Sequence, residues 1–200
     1  MCVDHQNKIV FIHIPKNAGT SVIDMLNGDH GHHPVSHYRH TLKEWNTYRK
    51  ICILRDPIER FISCYNFAKM CKSRWHDVDG VTQPKHPDYE LCHEKKIHEI
   101  IDIINNNKTQ CQIYNLGLNI DRQLKHLGWK TQSCWLNYDR SSIEFVSMSN
   151  FCEYFERNFG LSPDSVNVTT SQDKVIINEH YQNILREIYS VDYELINNYI

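Results

Sequence analysis

Two stretches of this chain repeat one design: a short apolar run, a turn carrying a cation, then small or hydroxylated residues opening an amphipathic stretch. The first is VFIHIPKNAGTSV, residues 10–22, and the second is ICILRDPIERFISCY, residues 51–65. A brief run rich in β-branched residues reads as a strand buried on both faces, the habit of parallel strands covered by helices. Two strand–turn–helix units in succession constrain the chain to an α/β architecture with a small parallel sheet flanked by helices. They also create two anion sites, because the free N–H groups at a helix start point the same way. Two such sites imply a ligand with two separated anionic groups.

In the first unit, IVFIHI (residues 9–14) supplies the strand and Pro15 ends it. Lys16 brings a positive charge, Gly19 permits close backbone approach, and Thr20 and Ser21 add hydroxyl donors as the helix opens. Val22, Ile23 and Leu26 supply its core face. In the second, ICIL (residues 51–54) is the strand and Arg55 stands at its carboxyl end, where open α/β sheets bind ligands. Asp56 suits an N-cap, Pro57 the first helical position and Glu59 a capping box. Ile58, Phe61, Ile62 and Tyr65 mark the buried stripe, which leaves Arg60 and Ser63 off it. Arg55 offers a planar fork for a phosphate, while pairing with Asp56 or Glu59 is the plainer role, above all for Arg60. A nucleotide-kinase P-loop needs G-x-x-x-x-G-K-[ST]. That run is absent here: the lysine precedes the turn, so the loop is P-loop-like in physics rather than in pattern.

These two segments resemble the donor-binding motifs of sulfotransferases that use 3′-phosphoadenosine 5′-phosphosulfate (PAPS). Residues 10–22 are similar to that family's 5′-phosphosulfate loop, with Asn17 where threonine is usual. Residues 51–65 are similar to its 3′-phosphate motif, with Arg55, Asp56, Pro57, Arg60, Ser63 and Tyr65 in register. The nearest branch is the membrane-type and bacterial carbohydrate sulfotransferases. The resemblance implies that the run Lys16, Asn17, Ala18, Gly19, Thr20 and Ser21 holds the 5′-phosphosulfate. Arg55 and Ser63 would hold the 3′-phosphate. A P-loop-like nucleotide kinase or NTPase, and a PAP- or PAPS-binding protein without chemistry, are the alternatives.

Between the motifs, residues 27–45 carry five histidines: His30, His32, His33, His37 and His40. The spacing contains no H-E-x-x-H, and no cysteine pair forms C-x-x-C, so no metal is expected. His30, His32 and His33 read as a polar surface loop. Sulfuryl transfer needs a proton acceptor, and histidine titrates near working pH. The family's HxT-like element falls on His40-Thr41, making His40 the expected base and His37 the runner-up. Lys16 would then offset charge on the departing phosphosulfate oxygen as a second catalytic residue.

Two hundred residues suit one domain, 1–200. The formal net charge of −2 gives no global basic field, which speaks against nucleic acid as a partner. No apolar stretch approaches the length of a membrane span, and with the first strand starting at about residue 8 no signal peptide is expected. The eight scattered cysteines read as reduced thiols, so a cytoplasmic protein is expected. The implied partners are a small-molecule donor and a hydroxyl acceptor, by the resemblance a glycan.

Along the rest of the chain, residues 72–92 read as a long loop, a candidate lid with Lys72, Arg74 and Trp75. Ile97, Ile100, Ile101 and Ile104 mark an amphipathic helix that ends at Asn105–Asn107, and residues 111–127 a further helix or loop. TQSCWL, residues 131–136, resembles a family element near the acceptor. Residues 143–161 read as a strand and helix closed by Gly160, with no counterpart to the family's usual glutamate at 148–150. VNVTTSQD, residues 166–173, resembles a loop lying over the nucleotide, with Lys174 beside it. One helix is expected over about 179–198, carrying the family-like YSVDYEL.

Overall fold

The structure, a computed structural model, describes residues 2–26, 28, 31–70, 86–106, 124, 126–137, 140–160 and 175–200. The chain divides into two compact units. The first comprises residues 1–56, 131–166 and 191–200, and the second residues 57–130 and 167–190.

The first unit is built on a sheet of four strands among the described residues, in the order β1 (Val3–Asp4), β2 (Ile9–Phe11), β3 (Arg49–Leu54), β4 (Ile143–Ser147). β1 runs antiparallel to β2, while β2, β3 and β4 are mutually parallel. The α/β expectation therefore holds, but the first strand is shorter than residues 9–14. Ile12 still donates to the Ile51 carbonyl at 2.8 Å. Pairing then stops as the chain turns toward Lys16.

Successive β3 side chains point to opposite faces, and both faces are covered. Ile51 and Ile53 pack with Ile9 and Phe11 against Val22, Ile23 and Leu26 of α1 (Gly19–Met25) and Phe155 of α6 (Phe151–Phe159). Cys52 and Leu54 face Val35 of α2 (Val35–Thr41), Trp135 and Leu136, and Leu195 of α8 (Ser190–Tyr199). Each buried aliphatic side chain contributes about 1.5–3 kcal/mol, which makes β3 the anchor of the unit. At the start of β3 and β4, Arg49 donates Nε and Nη2 to the two carboxylate oxygens of Glu144, at 2.8 and 2.7 Å, and Tyr154 Oη donates to the same carboxylate at 2.6 Å. α6 ends as the sequence predicts, at Gly160 with φ 66° and its N–H on the Glu156 carbonyl.

The second unit contains α3 (Pro57–Ala68), α4 (Tyr89–Glu94), α5 (Ile97–Asn106) and α7 (Glu179–Ile188). The four expected isoleucines of α5 are all buried, in one core with Phe61, Cys64, Tyr65 and Ala68 of α3 and Leu185 of α7. Three expectations are corrected here. Arg60, expected off the buried stripe, is 2% exposed. Its Nη1 donates to the Lys130 carbonyl at 2.8 Å, so the buried face of α3 is turned from the one its apolar spacing marks, and Ile58 and Ile62 are only partly covered. The long loop ends before Tyr89, because Tyr89–Glu94 is helical. The terminal helix is two helices broken at Tyr189, whose hydroxyl donates to the Trp129 carbonyl at 2.8 Å. Residues 71–85, 107–123 and 161–174, with Lys72, Arg74, Trp75 and Lys174, lie outside the described residues.

Candidate functional site

The loop between β2 and α1 has an unusual backbone. Lys16 and Ala18 both take left-handed conformations, with φ of 70° and 55°. Non-glycine residues avoid this region, and each visit costs on the order of 1 kcal/mol. Left-handed residues set among right-handed ones turn successive N–H groups toward one concave side. Among the described residues, the amides of Ala18, Gly19, Thr20 and Ser21 take no hydrogen bond, whereas Val22 N donates to the Ala18 carbonyl at 3.2 Å. Four amides without a hydrogen-bond acceptor thus follow one another at the start of α1, with no acidic residue in its first turn. Thr20 is half-buried and Ser21 6% exposed.

Gly19 is required by packing. A Cβ there would overlap the imidazole of His13, so this ring occupies the space of the missing side chain. His13 itself is 6% exposed and stacks with Phe11 at 6.0 Å between centroids.

Asn17 does not present its side chain as a ligand donor. It is 1% exposed, and its Nδ2 donates to the Ile53 carbonyl and to Gln132 Oε1, both at 2.7 Å. Its place in the anion loop is structural. Gln132, fully buried in the 3₁₀ turn Gln132–Leu136, also brackets Arg55. Its Oε1 accepts from Arg55 N at 3.1 Å and its Nε2 donates to Arg55 O at 2.8 Å. Arg55 in turn donates Nη1 to the Lys16 carbonyl at 3.2 Å. Asp192, 0% exposed in the first turn of α8, accepts from Gln132 N at 2.8 Å and from Ser133 N and Oγ at 2.9 Å. The segment 131–136 therefore locks the two anion loops together, and Gln132 is too buried to face an acceptor. Ser63 sits half-buried on α3, in the second unit.

The described histidines of residues 31–40 divide into two groups, and His30 lies outside the described residues. His40 is exposed in the last turn of α2, where Thr41 Oγ1 is taken up by the His37 carbonyl at 2.9 Å. His37 stacks on His33 at 4.1 Å, and burial, then the neighbouring His37, holds His33 below the ordinary histidine value. His32 corrects the surface-loop expectation: it is half-buried, its ring 4.0 Å from His13 and 6.0 Å from Trp135. His32 Nδ1 lies 3.1 Å from the His13 carbonyl. A carbonyl only accepts, so Nδ1 carries a proton.

Sequence reasoning assigns His13 no role, reads His32 as part of a polar surface loop and places Gln132, within TQSCWL, near the acceptor. A lone histidine inside an apolar strand was the available signal for His13. Among the described residues no three His, Cys, Asp or Glu side chains gather as a metal site, and no helix is long and apolar enough to cross a membrane.

The first unit is an α/β unit whose parallel strands lead into two cationic loops joined by hydrogen bonds. The sequence profile of the sulfotransferase family matches residues 1–199, and the chain belongs to that family. No curated relative and no solved structure matches it. Its chemistry is therefore sulfuryl transfer between a small-molecule donor and an acceptor.

Proposed function

We propose that the donor is PAPS and the acceptor a carbohydrate hydroxyl. The observation that carries the reading is the joining of two cationic loops: four unpaired amides beside Lys16, with Arg55 tied to the Lys16 carbonyl. A donor with a 5′-phosphosulfate and a 3′-phosphate fits that pair, whereas ATP calls on one loop. Lys16 and the amides of Ala18, Gly19, Thr20 and Ser21 hold the phosphosulfate, with Asn17 shaping the loop. Arg55 holds the 3′-phosphate, and Ser63 joins it on the strength of the motif alone. The acceptor oxygen bonds to sulfur as the S–O bond to the donor phosphate breaks. Lys16 offsets the charge left on that phosphate oxygen. The hydroxyl proton passes to a histidine.

His40 is the base by its place in the motif, with His37 behind it. A specific observation favours a second reading, His32, whose Nδ1–H is oriented by the His13 carbonyl and whose ring lies against the imidazole that covers Gly19. The absence of a membrane-length helix among the described residues and six free thiols there accord with a cytoplasmic setting.

Ligand protection tests the donor. PAP should raise the melting temperature well above 5′-AMP or ATP at equal concentration, since saturation at a hundredfold excess adds about 2.7 kcal/mol. Equal protection by PAP and 5′-AMP would exclude a two-phosphate donor, and stronger protection by ATP would favour the kinase alternative. Transfer of labelled sulfate from PAPS to a glycan panel then separates an enzyme from a protein that only binds.

A further inference from the structure

We infer that Gln132 is the positioning residue that sets the register of the two anion loops, and so the preference for a donor bearing a 3′-phosphate. The inference rests on the PAPS reading above. The side chain of Gln132 uses both ends of its amide. Oε1 is shared between Asn17 Nδ2, from the first loop, and Arg55 N, from the second. Nε2 closes on Arg55 O, so the arginine backbone is held on both sides of its Cα. Asn17 in turn grips Ile53, two residues before Arg55. All of these groups are buried or half-buried, where a hydrogen bond is stronger and an unmade one costly.

Gln132 is itself held from behind. Its backbone amide and that of Ser133 both end on the Asp192 carboxylate, inside the first turn of α8. The chain of bonds runs from the C-terminal helix through the 3₁₀ turn to the backbones of both loops. Arg55 can choose its ligand only if its Cα stays at a set distance from the Lys16 turn, and Gln132 is the side chain that bonds to both. It does not need to touch the donor to do this. The segment thus acts on donor choice, not on the acceptor.

The test compares the affinities of PAP and 5′-AMP for the full chain by titration calorimetry. Gln132→Met keeps the side-chain volume and removes every polar contact. It should lower the ratio of PAP to 5′-AMP affinity by roughly tenfold, the worth of one charge-assisted hydrogen bond lost to misplacement. Asn17→Ala removes the bonds to Gln132 Oε1 and to the Ile53 carbonyl but leaves both Gln132 bonds to the Arg55 backbone, and should lower the same ratio by less. The double variant should lose less than the sum of the two single losses, because the bond between Asn17 and Gln132 is broken in each. Asn17→Ala alone gives the answer if Gln132→Met does not fold. Equal weakening of both nucleotides, or a ratio unchanged in the folded variants, would overturn the inference and leave the donor reading standing. Wild-type protein with no preference for PAP would overturn the donor reading, and this inference with it.

Discussion

Replacing Gly19 by alanine tests how the loop between β2 and α1 is packed. The new Cβ would overlap Nε2 and Cδ2 of His13 and lie 2.7 Å from its Cε1. Ordinary contact is about 3.5 Å, so even the most distant of the three atoms is about 0.8 Å too close and the ring must retreat further than that. His13 is 6% exposed, with Phe11 stacked on it and His32 at 4.0 Å, so retreat disturbs a packed cluster. Forcing a methyl group into such a site costs about 1–3 kcal/mol. Alanine's better helix propensity returns at most about 1 kcal/mol, and less at the first helical position. The net expectation is a loss of about 1–2 kcal/mol, which lowers Tm by about 2–8 °C in a chain of this size. Thermal unfolding followed by circular dichroism measures it. In a His13→Ala background the same substitution should be neutral or stabilising, because the methyl then fills space the ring has left. Equal destabilisation in both backgrounds would refute the steric argument.

Further outcomes follow from other contacts. Arg55→Ala should weaken PAP binding by about 1.5–3 kcal/mol, a charge-assisted contact, while leaving Tm nearly unchanged; titration calorimetry and unfolding read the two together. In single-turnover assays at saturating donor, the base should lose roughly 10²–10⁴ in rate on substitution by alanine with PAP affinity kept, so His40→Ala, His32→Ala and His37→Ala sort the candidates, while Lys16→Ala should lose both rate and donor affinity. Hydrogen bonding from Arg49, with help from Tyr154, holds the Glu144 carboxyl below its ordinary value of 4.5 despite partial burial. A depressed carboxylate adds stability above that ordinary value and loses it as pH falls through the folded one, so acid unfolding should begin below about pH 4.5 and flatten in Glu144→Gln, as a pH series of melting curves would show. Gly160→Ala should cost about 1 kcal/mol from its φ of 66°, since open space surrounds the position and no clash adds to it; Gly160→Asn should cost less in the same urea titration.

Local periodicity alone determined much of this protein. The apolar runs at 9–14 and 51–54, which hold the observed strands in part, the four isoleucines of α5 and the Gly160 stop are each read from neighbours within a turn or two, because burial of one face imposes a short repeat. The two cationic loops were legible for the same reason: a strand, a turn and a helix start follow one another along the chain. What joins the loops was not. Gln132 and Asn17 are 115 residues apart, and a hydrogen bond between them leaves no trace in either neighbourhood. The same holds for His32 against His13 and for Asp192, which reads as an ordinary acidic residue in the first turn of a helix yet is wholly buried under two amides. Arg60 turned inward because a carbonyl 70 residues away accepts from it, against the preference its charge expresses. Apolar burial is a property of each residue and repeats along an element. The pairing of a polar group depends on where the chain brings its partner, and only the tertiary structure decided that.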